Sequence, residues 1–273
     1  ERINGVLVHR HPDAVQEMAR FKNMLVSGWY WTSDLVGVPY GQDLRDYPAV
    51  GDLLHVAVSW LLVHLTGEPA LTLNLFFFGS YFTVFLGAYA GSRMLDIGQW
   101  SAVSVGVLYT FLPFHVVHGP SHLLLSSYGA VPLFVALAVR QMGDRPLVDS
   151  LPGIRRWRTW LGWVRQPAHL AAIVIVLLGA TTGIYYAVFM VATLLFSGIV
   201  AGLAHADRRR TSVALAMSLG TGTVVGAQFV PIWWLQRQVG SNSWIVQRGL
   251  HDIDYYSLKL SDLVLPVNGH RFQ

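Results

Sequence analysis

The stretch LAAIVIVLLGATTGIYYAVFMVATLLFSGIVAGL, residues 170–203, decides how the chain is laid out. It runs for 34 residues without an acidic or basic side chain. One helix crossing about 30 Å of hydrocarbon at about 1.5 Å per residue needs only some 20 residues. The run therefore holds two spans, and Gly179-Ala-Thr-Thr-Gly183 supplies the break between them. Working outward, further apolar runs of crossing length lie at 71–92, 101–117, 123–140 and 212–234, which with 169–182 and 184–203 make six.

Loop charge tests this layout, because cytoplasmic loops collect Lys and Arg. Loop 93–100 holds Arg93, segment 140–168 holds Arg140, Arg145, Arg155, Arg156, Arg158 and Arg165, and loop 204–211 holds Arg208, Arg209 and Arg210. The alternate connections, 118–122 and 183, hold none. Fusing the two central spans would place Arg208–Arg210 on the opposite side from the other Arg-bearing loops. Both flanks then face outward, and they contain 11 of the 15 acidic residues and most of the histidines.

Composition agrees. Of 273 residues, 53% are hydrophobic and 12% charged, against about 25% charged in a soluble domain, and the mean hydropathy is +0.44. The expected fold is all-α, a polytopic helical membrane protein in three parts. An outer loop over 1–70 carries surface helices, a transmembrane bundle covers 71–234, and a second outer segment, 235–273, begins a further C-terminal region. The chain opens at Glu1 without Met and ends inside a polar stretch, as an internal fragment would. Without cysteine there are no disulfides, thiolate nucleophiles or Cys-ligated metals, which is compatible with a bacterial envelope protein. The net charge of +4 sits in short loops between apolar runs, so it orients the protein in a membrane and implies no nucleic acid.

Within the outer loop, Ala14, Met18, Phe21 and Leu25 form an apolar stripe with Glu17, Arg20 and Lys22 turned away, as in a helix lying on a membrane surface. The apolar run 53–65 is short and interrupted by His55 and His64, which suits a re-entrant or interfacial helix. The Arg and Trp of 154–165 fit a helix flat on anionic lipid. Gly87/Gly91, Gly198/Gly202 and Gly222/Gly226 are small-residue pairs that let helices approach closely.

Candidate chemistry lies on the outer side. Asp13 opens the first surface helix, either as a general base above the membrane or as a capping residue with Gln16 three positions on. The loop 40–48, with Asp43, Arg45 and Asp46 between aromatics, suits a sugar or phosphate site and equally an ordinary solvated loop. His115, His118 and His122 cluster where two spans reach the surface. Gly119-Pro120 breaks the helix that would align them on a metal, so hydrogen bonding to a phosphate or sugar hydroxyl suits them better. Arg248 offers a phosphate contact, with His251 and His270 on the same side. There is no phosphate-binding Gly-rich loop, Ser-x-x-Lys or His-Glu-x-x-His.

The order of several short stretches resembles bacterial polytopic membrane glycosyltransferases of the GT-C type. They are Gly28-Trp-Tyr-Trp31, Gly37-Val-Pro-Tyr-Gly41, Asp46-Tyr-Pro, Asp52-Leu-Leu-His55, Leu71-Thr-Leu-Asn-Leu-Phe-Phe77, Phe111-Leu-Pro-Phe-His115, Ser121-His-Leu123, Val131-Pro-Leu133, Gly183-Ile-Tyr-Tyr186 and Asp262-Leu-Val-Leu-Pro266. The resemblance implies a missing first span, then an outer loop with a catalytic acid near its start, where Asp13 stands. It implies transfer of a sugar from a polyprenyl-phosphate donor in the membrane to an unknown acceptor, at the outer face of the bacterial inner membrane. Asp43, Asp46, His118, His122, Tyr185, Arg248, His251 and His270 form the expected substrate-binding set. A divalent cation is the one cofactor it admits, and His11-Pro12 before a lone Asp13, in place of paired acids, argues against one. The alternatives are a transporter or flippase for lipid-linked sugars and a non-catalytic envelope assembly protein.

Overall fold

A computed structural model describes residues 12–46, 51–152 and 157–242, with 74% helix and 2% strand, and the fold is all-α. The elements are α1 (Pro12–Ser27), a two-residue antiparallel ladder β1 (Thr32–Ser33) and β2 (Gln42–Asp43), α2 (Leu53–Thr66), α3 (Pro69–Met94), α4 (Gln99–Thr110) and α5 (Pro113–His118). A single 3-10 turn, Gly119–His122, leads to α6 (Ala130–Met142), α7 (Trp157–Val164), α8 (Pro167–Thr181), α9 (Ile184–Ala204) and α10 (Arg208–Val239). The chain forms two compact units, Glu1–Leu235 and Gln236–Gln273; in the second, the end of α10 closes on Gly240, whose N–H donates to the Gln236 carbonyl.

Among the described residues, four helical stretches are long and apolar enough to cross a membrane: α3, α4 continued through α5, α9 and α10. Two expected crossings differ. The helix within 123–140 starts only at Ala130, and its 13 residues span about 20 Å. Leu123–Gly129 is non-helical yet lies mostly inside the protein, with Leu123, Ser126 and Tyr128 buried, Ser126 Oγ donating to the Leu123 carbonyl and Tyr128 Oη to the Tyr109 carbonyl. Internal bonds of this kind let irregular backbone sit among packed helices. The 15-residue α8 is likewise short.

Glycines set the closest approaches. A Cβ on Gly87 would stand 2.0 Å from the Gly129 carbonyl oxygen, and one on Gly91 would meet the Pro132 carbonyl, so α3 packs backbone to backbone on α6. On α9, a Cβ at Gly198 would meet Ala214 and one at Gly202 would meet Thr211. Gly222 and Gly226 have nothing within 4 Å, so this third pair joins no helices among the described residues.

The Arg-bearing connections meet at one end. Arg140 Nη1 lies 2.8 Å from Asp96 Oδ2, His205 Nε2 is 3.0 Å from the Met142 carbonyl, and Arg210 Nη1 donates to the Gly143 carbonyl. Many large apolar side chains face outward along the long helices, among them Phe82, Leu86, Phe189, Phe196 and Leu219. On α1 the expected apolar stripe forms, but protein covers it: Ala14, Phe21 and Met24 pack with Val56 and Val63 of α2 and Phe76 and Phe77 of α3. Glu17 and Arg20, expected to turn away with Lys22, are instead inside, the Glu17 side chain 13% exposed and Arg20 buried; only Lys22 is exposed.

Candidate functional site

A polar cleft of about 280 Å³ opens where α1, the turn before α2, the 3-10 turn and the start of α9 come together. Asp13 sits in the first turn of α1, where a carboxylate is favoured by the helix dipole. Its Oδ2 faces His122 Nδ1 at 3.0 Å. Both side chains are 43% exposed, so the pair contributes at most about 1 kcal/mol of stability, and what it fixes is the orientation of the carboxylate.

One turn further along α1, Glu17 Oε2 pairs with Arg20 Nη1 at 3.0 Å. Burial pushes the Glu17 carboxyl above its ordinary value; Arg20 works against that shift, Asp52 and Asp13 add to it, and His55 opposes it. Across the cleft, Asp52 precedes α2 and lies 3.5 Å, Oδ1 to Nδ1, from the buried His55. Tyr185, exposed at the start of α9, completes the wall.

This geometry depends on the break between α8 and α9. Gly183 takes φ +145°, a conformation that favours glycine, and its N–H donates to the Gly51 carbonyl at 2.9 Å. Gly51 has φ +93°, and a Cβ there would stand 2.7 Å from the Ile184 nitrogen. Gln228 of α10 braces the same corner, accepting from the Leu53 N–H and donating to the Ala180 carbonyl. The segment leading into α2 is thus docked on the connection between α8 and α9.

An apolar groove of about 570 Å³ adjoins the cleft, running between α2, α3, α6 and α8 past Leu62, Phe76, Leu86 and Leu133. The two share a boundary: Asp52 and Gly183 line the cleft, while His55 and Thr182 line the groove.

Of the residues expected to act, Asp13, His122 and Tyr185 converge on the cleft, and Asp43, Asp46 and His118 do not line it. Asp43 is held by Arg45, which donates from Nε and Nη2 to its carboxylate; those bonds keep the Asp43 carboxyl below its ordinary value. Asp46 is half-buried in the chain after β2. The ring of His118 lies 5.6 Å from that of His122, and its Nδ1 is 3.0 Å from the Phe114 carbonyl. His115 leaves the cluster altogether, fully buried with Nε2 3.0 Å from Ser80 Oγ. Arg248, His251 and His270 lie outside the described residues. Glu17, Arg20 and Asp52 join the site without having been singled out for it. Among the described residues no group of three or more His, Asp or Glu side chains is arranged to hold a metal ion.

No family model matches this chain, and neither does any curated protein or solved structure.

Proposed function

We propose that this chain is a polytopic protein of the bacterial inner membrane that transfers a sugar from a polyprenyl-phosphate donor to an acceptor at the outer face. The membrane part of the reading is supported by the four long apolar helices and by the large apolar side chains on their outer surfaces. Each such side chain gains about 1.5–3 kcal/mol on leaving water, which lipid supplies and solvent does not. Six crossings result if 123–142 and α8 traverse with α3, α4–α5, α9 and α10. The Arg-bearing end then faces the cytoplasm and the cleft faces outward.

The observation that carries the transferase reading is the Asp13–His122 pair in a polar cleft that meets a long apolar groove at Asp52 and His55. A lipid-linked sugar has that division of character. Its chain belongs in the groove and its phosphate and sugar in the cleft, where Arg20 and His122 offer donors to the phosphate. Asp13 takes the proton from the acceptor hydroxyl as that oxygen bonds to the anomeric carbon. The bond from that carbon to the phosphate oxygen breaks, and its electron pair leaves with the polyprenyl phosphate. His122 keeps the Asp13 carboxylate aimed.

The reading is tested by supplying membranes that contain the full chain with radiolabelled polyprenyl-phosphate sugars. Label moving into a glycosylated product is expected. Label carried into sealed vesicles with no such product would replace the transferase with a flippase.

A further inference from the structure

On the other side of the Asp52–Leu53 step from the cleft lies a second, smaller pocket of about 180 Å³, formed by Trp29, Tyr30, Trp31, Arg45, Leu53 and Gln228. We propose that it is a saccharide-binding subsite, which under the transferase reading receives the sugar ring of the acceptor. A sugar ring has an apolar face of C–H groups and an edge of hydroxyls, and it is bound by an aromatic face beside fixed hydrogen-bonding groups. Three consecutive aromatic residues supply the first. Trp29 and Tyr30 have ring centroids 5.3 Å apart, and Tyr30 and Trp31 6.4 Å apart at an interplanar angle of 71°, so the rings present faces in different directions around the pocket.

The polar part is Arg45, whose Nε and Nη2 are held by Asp43, leaving Nη1 outside that pairing. Gln228 beside it is fixed at both ends by backbone groups. The volume suits one ring rather than a chain.

The wall is held in place before any ligand arrives. Trp60 Nε1 on α2 donates to the Gly28 carbonyl at 2.6 Å, Asn23 Nδ2 on α1 donates to the Thr32 carbonyl at 2.8 Å, and the Leu44 N–H donates to the Trp31 carbonyl at 2.7 Å. Rings anchoring a helix in the headgroup region need only slide along lipid, whereas these are pinned on both flanks around a concavity. Adjacent residues, Asp52 and Leu53, line the cleft and the pocket. A ring held here lies next to the donor site, which is where an acceptor hydroxyl has to be.

The test is saturation-transfer NMR on the full chain in phosphatidylcholine–phosphatidylglycerol nanodiscs, with methyl glycosides of glucose, mannose, galactose and arabinofuranose as probes. Transfer to ring C–H protons of at least one glycoside is expected. Trp31→Ala, at a side chain 41% exposed, and Arg45→Gln should each weaken it at least about tenfold. Trp100→Ala, at an exposed tryptophan near the Arg-bearing end, should leave it intact. No saturation of any glycoside, equal loss in Trp100→Ala, or saturation of lipid headgroup protons alone would overturn the subsite. Glycoside binding lost in the pocket variants, in a protein that transfers no sugar, would keep the subsite and refute the transferase.

Discussion

Replacing Gly51 with alanine should destabilise the protein by about 2–5 kcal/mol, because two costs act at one residue. The backbone there has φ +93°, and holding alanine in a left-handed conformation costs about 1–2 kcal/mol. The new Cβ would also stand 2.7 Å from the Ile184 nitrogen and 2.9 Å from the Ile184 Cβ, inside contact distance, so α9 must move away. Crowding of this sort costs about 1–3 kcal/mol. The displacement also stretches the bond from the Gly183 N–H to the Gly51 carbonyl and widens the cleft at Asp52. Gly67 provides the control: it has φ +66°, but a Cβ added there would meet nothing within 4 Å, so Gly67→Ala carries only the backbone cost. Thermal melts of the purified protein in one detergent, followed by tryptophan fluorescence, should show a Tm drop of about 2–4 °C per kcal/mol. The drop for Gly51→Ala should be at least about one and a half times that for Gly67→Ala. Equal drops would mean that Ile184 yields without cost and that the two loops are not tightly docked.

Gly87→Ala should cost at least about 2 kcal/mol, because its Cβ meets backbone, whereas Gly222→Ala should change stability by less than about 0.5 kcal/mol or improve it through helix propensity; the same melts compare them. Glu17 binds its proton more tightly folded than unfolded, so its contribution is fully present below the ordinary carboxyl range and is lost as pH rises through its raised value. Glu17→Gln should remove that part of the pH slope in denaturation, and an unchanged slope would show that Glu17 does not titrate there. Since the chain has no cysteine, single-cysteine variants report sidedness directly. In intact cells a membrane-impermeant maleimide should label Tyr40→Cys and spare Asp144→Cys, with the pattern reversed in inverted vesicles.

The division at residues 179–183 was legible because glycine punctuates an apolar run whose length already demanded a turn. α8 ends at Thr181, and Gly183 takes the conformation that glycine allows. Two of the three small-residue pairs also announced their contacts. The non-helical stretch 123–129 was not legible, since an apolar run has the same composition whether it coils into a helix or lies irregularly among buried neighbours. At the site, Asp13 and His122 could be named separately, but their pairing joins residues more than a hundred positions apart. Glu17 and Arg20 follow Asp13 at helical spacing, one position before Met18 and Phe21, so the polar stripe borders the apolar one. Only the packing of α2 against both shows that this border is inside. His115 was separated from its neighbours by a partner 35 residues upstream, Ser80.

Sugar transfer by Asp13→Asn in membranes measures the central claim most directly, because the substitution keeps the size and hydrogen-bonding reach of the side chain while removing its basicity. No transfer from labelled polyprenyl-phosphate sugar is expected at wild-type expression, with a thermal melt lowered by no more than about 4 °C through loss of the Asp13–His122 ion pair. Full transfer by the Asp13→Asn protein would contradict the claim.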